Sequence, residues 1–151
     1  MTAGGPPPGA VPLRWQGARM NGRIGLEGVL EEHRLWVETR GKRGKRADLR
    51  GARLQNASLR GALLQSACLE NGDLKWADLR EADLRKANLK GVDLLGASLQ
   101  KARLQRADLR WADMRGTDLR GVNLTRAIGL TEHQIRTAVK DDRTKLPKDL
   151  Q

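Results

Sequence analysis

Leucine recurs at every fifth position through the middle of the chain, from Leu49 to Leu124, with one exception. Divided into fives from Ala47, residues 47–126 form sixteen consecutive units, of which fifteen have leucine in the third place and one has Met114. Alanine occupies the first place in twelve units, and the second, fourth and fifth places are mostly polar. Each repeat therefore separates two apolar places from three polar ones.

A spacing of five matches neither regular secondary structure. Five residues of an α-helix turn the chain about 140° beyond a full circle, so the leucines would be distributed around all sides of the helix. In an extended strand, an odd step places successive leucines on opposite faces. A chain that buries every leucine must therefore turn once in each repeat, which predicts a coil of short extended segments.

The repeat resembles the pentapeptide-repeat family, whose pattern is A(D/N)LXX, over residues 47–126. The resemblance implies an all-β solenoid: a right-handed quadrilateral β-helix with one repeat on each side and about four coils. It also implies that the first-place and third-place side chains fill a narrow interior, which suits a chain with four Trp and no Phe or Tyr. At about 4.8 Å per coil, the stack would be about 19 Å tall.

A short helical cap is expected before the first coil. Apolar side chains in residues 26–39 recur at helical spacing, and Gly41 follows as a stop signal. This segment resembles the lead-in of many bacterial members of the family, in which a His and a Trp precede the first coil. We therefore expect His33 and Trp36 to pack onto the end of the solenoid, and a catalytic or ligand-binding role for His33 is disfavoured.

A second cap is expected after the array. Thr131 and Gln134 have the spacing of a helix capping box. Ile135, Ala138 and Val139 would share one face of the helix that follows. Several family members dimerise through a C-terminal helix, so the resemblance leaves a homodimer contact open as the alternative to a simple cap.

These features divide the chain into four parts. They are a Pro/Gly-rich tail expected to be disordered (1–25), a capping helix with a basic lead-in (26–46), the β-helix (47–126), and a C-terminal capping helix with a tail (127–151). The start lacks the apolar segment of a secretory signal, and no run of about 18 apolar residues suggests a membrane span. A single cysteine, Cys68, cannot form an intramolecular disulfide, which favours a reducing, cytoplasmic setting.

The sequence suggests no catalytic, cofactor or metal site. The two histidines fall in different predicted caps, and the basic lead-in lacks the spacing and the Ser/Thr of a phosphate-binding loop. The aspartates recur because the repeat places them in turns. We therefore expect a non-enzymatic protein.

Positive charge is concentrated on one side of the predicted solenoid. The chain has a net charge of +11, which favours anionic partners such as nucleic acid, acidic proteins or lipid headgroups. Repeats four apart share a side. We call the side that contains repeats 47–51, 67–71, 87–91 and 107–111 the first side, and the second, third and fourth sides follow it along the chain. The outward places of the first two sides are balanced in charge, those of the third carry +1, and those of the fourth carry +4.

The candidate anion-binding residues lie on the fourth side and in the lead-in. They are Arg85, Lys86, Arg103, Arg106 and Arg126 on the fourth side, and Lys42, Arg43, Lys45 and Arg46 in the lead-in. The alternative is that these charges only keep the surface solvated and have no binding role. No aromatic residue lies on the fourth side for stacking with bases, so phosphate contacts there would be independent of base sequence and sensitive to salt.

An apolar patch is expected on the second side. Trp76 and Trp111 fall in fifth places at the corners that flank this side, and Leu95 replaces a polar residue in a fourth place. Clustered exposed apolar groups mark contact sites, and tryptophan is enriched among the residues that dominate binding energy. The alternative is that the tail around Trp15, or a cap, covers the patch.

The function favoured by these features is a protein-interaction or assembly module with a basic surface that attracts an acidic partner. Nucleic-acid binding is the alternative. Some family members protect DNA gyrase by imitating duplex DNA with a long acidic rod, but this chain is short and basic, which disfavours that role.

Overall fold

The structure is a computed structural model that describes residues 25–151. Apart from Gly25, the predicted Pro/Gly-rich tail lies outside the described residues, and so does Trp15. The interpretation that this tail covers the tryptophan patch is therefore not addressed by the structure.

Parallel β-bridges join residues twenty positions apart throughout the array. Asp48 pairs with Cys68, Cys68 with Asn88, and Asn88 with Asp108, and the same step holds on the other three sides. Twenty residues are four repeats, so identical places in every fourth repeat stack above one another. The backbone of each coil is thus hydrogen-bonded to the next, as in a parallel sheet cut into single bridges.

Each corner of the solenoid is a tight turn that closes one repeat and starts the next. The Ala52 amide donates to the Leu49 carbonyl at 3.1 Å, and equivalent bonds recur along the array. The fifth-place residue of the turn has positive φ in every repeat except the last, for example 59° at both Trp76 and Lys86. This conformation costs a residue with a side chain roughly 1 kcal/mol or more, which accounts for the glycines that often occupy the place. Where a larger residue stands there, it lies at the corner.

The interior is a ladder of leucine and alanine, as the sequence pattern predicts. Every third-place side chain is buried, including Met114, and most first-place alanines are buried with them. Thr117 is the polar exception in a first place, and its hydroxyl donates to the Leu94 carbonyl at 2.8 Å. Because the leucines supply the buried area, the interior needs no aromatic side chain.

Helix α1, Leu26–Glu38, covers the first coil. It buries Leu26, Leu30 and His33 against the core, and the Ala47 amide donates to Nδ1 of His33 at 3.0 Å. The His33 and Trp36 rings stack with centroids 5.6 Å apart.

The end of helix α1 differs slightly from the prediction. The left-handed residue that terminates it is Arg40, with φ 53°, and Gly41 comes one position later. The Arg40 amide donates to the Val37 carbonyl and the Gly41 amide to the Trp36 carbonyl, which together form a Schellman motif.

The last coil is followed by helix α2, Glu132–Thr137, and by further bridged backbone. Thr131 and Gln134 form the predicted capping box, and Nε2 of Gln134 donates to the Leu109 and Ala112 carbonyls at 2.9 Å each. Bridges from Asp108 to Ile128, from Asp118 to Val139 and from Asn123 to Lys145 continue the stack. A short 3-10 helix, Lys148–Leu150, ends the chain.

The predicted helical face of Ile135, Ala138 and Val139 is therefore wrong in part. Ile135 is helical and buried, but the helix ends at Thr137, and Val139 is bridged to Asp118 with 46% of its surface exposed. The physical reason is the open edge of the last coil. The Leu119 amide donates to the Val139 carbonyl at 2.8 Å, and an extended segment satisfies that amide where a longer helix would not.

Within residues 25–151, no helix has the length and apolar character needed to cross a membrane.

The buried histidine makes stability depend on pH in a defined window. Burial lowers the pKa of His33, the nearby Gln65 carbonyl offsets part of this effect, and the positive charge of Arg46 adds to it. The folded state therefore favours the neutral ring. The stability that this preference contributes is fully present above about pH 6.5 and is lost as the pH falls towards the pKa of the folded state. We expect the free energy of unfolding in urea to decline between pH 7 and 5, by at most about 1.4 kcal/mol per pH unit.

Two single variants test whether this decline is due to His33. His33→Gln should be less stable at pH 7.5 and nearly flat across the range, whereas His133→Gln, at the exposed histidine, should keep the wild-type slope. The pKa of Asp48 and of Asp78 is already lowered from the ordinary 3.8, so these carboxylates titrate below the window. A decline that persists in His33→Gln would contradict the assignment.

Candidate binding surfaces

Most of the fourth-place arginines bind the aspartate of their own repeat. In Asp78–Arg80, the arginine Nε lies 2.8 Å from one carboxylate oxygen and a terminal nitrogen 2.6 Å from the other. The Arg80 amide also donates to the same carboxylate at 3.1 Å. The six repeats with this pair are Asp48–Arg50, Asp78–Arg80, Asp83–Arg85, Asp108–Arg110, Asp113–Arg115 and Asp118–Arg120.

These pairs neutralise much of the array surface. The hydrogen bonds from the arginines hold the pKa of Asp108, Asp113 and Asp118 below the ordinary value, so the carboxylates stay ionised. The arginines are largely solvated, and water screening leaves such pairs little effect on the free energy of unfolding. Their main effect is on the charge pattern, because the second and fourth places of a paired repeat carry no net charge.

The second side carries the two exposed tryptophans at its opposite edges. Trp76 is 60% exposed and Trp111 is 78% exposed. The Trp76 amide donates to the Leu95 carbonyl of the next coil at 2.9 Å, and Leu95 itself is half-buried. The Arg110 guanidinium lies 5.9 Å from the Trp111 ring centroid, in cation–π range.

The structure separates the two indoles. Trp76 belongs to the coil that begins at residue 67 and Trp111 to the coil that begins at residue 107, so two coils and the width of the side lie between them. Within the described residues they make no aromatic pair with each other. The three candidate residues Trp76, Leu95 and Trp111 therefore form a diagonal across one side.

The Trp76 indole packs against Gly96, which occupies the same corner one coil later. A Cβ atom at Gly96 would fall 2.1 Å from two of its ring carbons. Only glycine leaves room for this ring, and Gly96 also has φ 66°.

A cleft of about 350 Å³ lies where helix α2 meets the second side. It is lined by Asp113, Met114 and Arg115 from the last coil and by His133 and Thr137 from the helix. Ala112, which also lines it, directly follows Trp111. This cleft could not be predicted from the sequence, because the contribution of His133 and Thr137 depends on where helix α2 packs.

The fourth-side candidates differ in their partners. Arg85 is bound bidentately to Asp83, and Arg103 lies 3.9 Å from the same carboxylate with 64% of its side chain exposed. Lys86, Arg106 and Arg126 are exposed in fifth places and make no ion pair within residues 25–151. Arg85 is therefore engaged within its own repeat, while the fifth-place cations are unneutralised.

The basic lead-in is held against helix α1. Lys42, Arg43, Lys45 and Arg46 are all exposed. The Lys45 amide donates to the Glu32 carbonyl at 3.1 Å, and a Cβ atom at Gly44 would fall 2.1 Å from that carbonyl oxygen. The close approach of Gly44 to the helix backbone fixes the path of this segment into the first coil.

The side chains typical of metal sites do not converge in the part of the chain that the structure describes. No group of three His, Cys, Asp or Glu residues there has the geometry to hold a metal ion. Cys68 lies in a second place, where the Asn88 side-chain amide contacts its sulfur at 3.7 Å.

Comparison with known proteins identifies relatives of the array. The family model described as pentapeptide repeats matches residues 45–80, 77–116 and 102–128. The crystal structure of Rfr23, a pentapeptide repeat protein from the cyanobacterium Cyanothece 51142, is 39% identical, with a TM-score of 0.57 over 70% of this chain and 68% of that one. A pentapeptide repeat protein from the Arabidopsis thaliana thylakoid lumen is 25% identical, with a TM-score of 0.50 over 66% of this chain and 61% of that one. No curated protein matches the chain in sequence.

Replacing Gly96 should displace the Trp76 ring. Gly96→Ala introduces a methyl group where the ring lies, whereas Gly121→Ala introduces one at a corner with φ 70° and open space around it. Both variants carry the same backbone cost, roughly 1 kcal/mol, of alanine at positive φ. We expect the ¹⁹F NMR signal of Trp76 in protein labelled with 5-fluorotryptophan, assigned with Trp76→Phe, to shift in Gly96→Ala only. An unchanged signal in Gly96→Ala would show that the ring does not rest on this corner.

Proposed function

Because the chain belongs to the pentapeptide repeat family, we propose that it is a non-enzymatic protein-interaction module that binds its partner through the second side. The observation that carries this proposal is the exposure of Trp76 and Trp111 on a surface whose other outward places are mainly charged or polar. Burying an indole in a partner pocket removes a large apolar area from water, and tryptophan is enriched where interfaces gain most of their energy.

The second side offers a partner both an apolar and a polar contact. Trp76, Leu95 and Trp111 supply the apolar diagonal. Lys75 lies between Asp73 and Asp93, at 3.2 and 3.4 Å, so the charges between the tryptophans are already satisfied. A partner that covers this side therefore need not leave a carboxylate unpaired, which lowers the desolvation cost of the contact.

The cleft beside Trp111 suits binding better than catalysis. Asp113 is held bidentately by Arg115, and its pKa is lowered by that contact, so it is poorly suited to accept a proton. The remaining polar groups, His133 and Thr137, lie on helix α2. We propose that this cleft receives a side chain of the partner.

The two ends of the solenoid complete the proposed module. Helices α1 and α2 act as caps for four coils, since a stack of repeats with open ends exposes apolar interior and unpaired backbone. The net charge of +11 favours an acidic partner and disfavours a role as a mimic of DNA. A homodimer through the C-terminal end is the competing use of exposed apolar surface, because Ile128 and Val139 are 47% and 46% exposed there.

Affinity capture with paired variants tests the second side. The full chain is immobilised and exposed to nuclease-treated lysate of the source organism at 0.15 and 0.5 M salt. We expect the wild type and Ile128→Ala/Val139→Ala to retain the same discrete protein. The amount retained should be at least tenfold lower with Trp76→Ala/Trp111→Ala. Both double variants should melt within a few degrees of the wild type, since the replaced side chains are exposed.

The matched variants separate the possible outcomes. A loss of the retained protein confined to Ile128→Ala/Val139→Ala would show that the contact lies at the C-terminal end. Equal retention by the wild type and both variants, or no retained protein at all, would reject the second side as the binding surface.

A further inference from the structure

The cations that make no ion pair within the described part of the chain include a column at a single corner of the solenoid. The corner between the fourth and first sides is occupied by residues 46, 66, 86, 106 and 126, which are twenty positions apart. Four of these five are basic: Arg46, Lys86, Arg106 and Arg126. We call these four residues the basic corner.

The backbone register places these residues directly above one another. The Lys86 amide donates to the Gln105 carbonyl at 3.0 Å, which is the bond that fifth-place residues make inside the array. The Arg106 amide donates to the Arg126 carbonyl at 2.8 Å, so Arg126 follows Arg106 one coil later with the register changed by one residue. At the other end, the Cys68 amide donates to the Ala47 carbonyl at 3.0 Å, which places Ala47 one coil from Ala67, and Arg46 directly precedes Ala47. With coils about 4.8 Å apart, the column from Arg46 to Arg126 is about 19 Å long.

Two further cations widen the basic corner on the fourth side. Arg103 occupies a second place there, and the bridges from Arg103 to Asn123 and from Asn123 to Lys145 place Lys145 two coils beyond Arg103. Lys145 is exposed. The exposed residues Lys42, Arg43 and Lys45 of the lead-in precede Arg46 in the chain and add positive charge next to the first coil.

No acidic group of the fourth side neutralises this column. Asp83, its one carboxylate, is buried and bound by Arg85. The fourth places of this side hold neutral groups, Gln65, Gln105 and Thr125, besides Arg85. Thr125 is turned onto the Asn123 side chain at 2.7 Å.

We propose that the basic corner binds the phosphate backbone of double-stranded nucleic acid. Successive phosphates of one strand advance about 3.4 Å along the axis of a duplex and also turn around it, so a column about 19 Å long faces only the phosphates on the near side of the duplex. Lysine and arginine side chains are long enough to absorb the mismatch between this spacing and that of the coils. Binding of this kind depends on charge and position and is independent of base sequence.

The chemistry of the corner favours a duplex over the other polyanions. Single strands gain affinity by stacking bases on aromatic side chains, and the fourth side has none. Protein partners bind through apolar anchors, which lie on the second side of this molecule. Interfaces with duplex nucleic acid are more polar and much more positive than interfaces with proteins, which matches a column of cations without an apolar centre.

Fluorescence anisotropy with a labelled 25-base-pair duplex tests the proposal. The variant Lys86→Asn/Arg106→Asn/Arg126→Asn removes three charges from the corner, and asparagine already occupies fifth places at Asn56 and Asn71. The control Arg53→Gln/Arg60→Gln/Arg120→Gln removes three charges from the second and third sides. Thermal melting verifies that both proteins are folded.

The expected result is a loss of affinity that depends on position. At 0.1 M salt the corner variant should bind at least tenfold more weakly than the wild type, and the control within threefold. The slope of log affinity against log salt should fall by about 2 to 3 in the corner variant, since each lost phosphate contact accounts for roughly 0.9. An equal loss in both variants would overturn the proposal, because net charge alone would then explain binding.

Three competitor outcomes also bear on the identity of the ligand. Unlabelled duplex should displace the probe best. Displacement by poly-glutamate at the same concentration of charges would overturn the proposal in favour of an acidic polypeptide, and tighter binding of a 25-nucleotide single strand would overturn it in favour of single strands. Capture of a protein by the second side is measured after nuclease treatment, so either proposal can fail while the other holds.

Discussion

The parallel β-bridging of residues twenty positions apart is the constraint on which the rest of this molecule depends. It fixes the interior, because leucines in the third place of every fourth repeat stack into a ladder that excludes water. It fixes the exterior in the same way, because the three outward places are repeated at the same height interval on each coil. A substitution in one repeat therefore changes one position in a column, and the surface is best understood as a set of columns.

Because identical places stack in columns, one array has both neutral and charged regions. A second-place aspartate is two residues from the fourth-place arginine, and the turn brings their side chains together on the same side. The carboxylate also accepts the backbone amide of that arginine, so both of its oxygens are engaged. A cation in the fifth place lies beyond this turn at the corner. Lys86 and Arg106, the last residues of their repeats, therefore have no ion-pair partner within residues 25–151.

The sequence was sufficient to predict the solenoid and the buried places, because period five excludes a helix and a flat strand. It also sorted the outward residues onto sides correctly, since the resemblance implied four repeats per coil and the bridges join residues twenty apart. It could not predict that Arg85 is engaged by Asp83, because that depends on side-chain geometry within the turn. Nor could it predict the place of Lys145. The sequence separation between bridged residues increases from twenty to twenty-one at Val139 and to twenty-two at Lys145. The constant separation of the array therefore does not predict which residues stack here.

The arrangement of the two proposed surfaces follows from the order of the sides. Trp76 lies at the corner between the second and third sides, which is diagonally opposite the basic corner, and Trp111 lies at the corner between the first and second sides. The first side separates Trp111 from the basic corner, and its own charges are largely satisfied, as in Asp108 with Arg110. A rigid polyanion lying along the basic corner would thus leave the second side open. The two proposed ligands would therefore not compete for the same face of the solenoid.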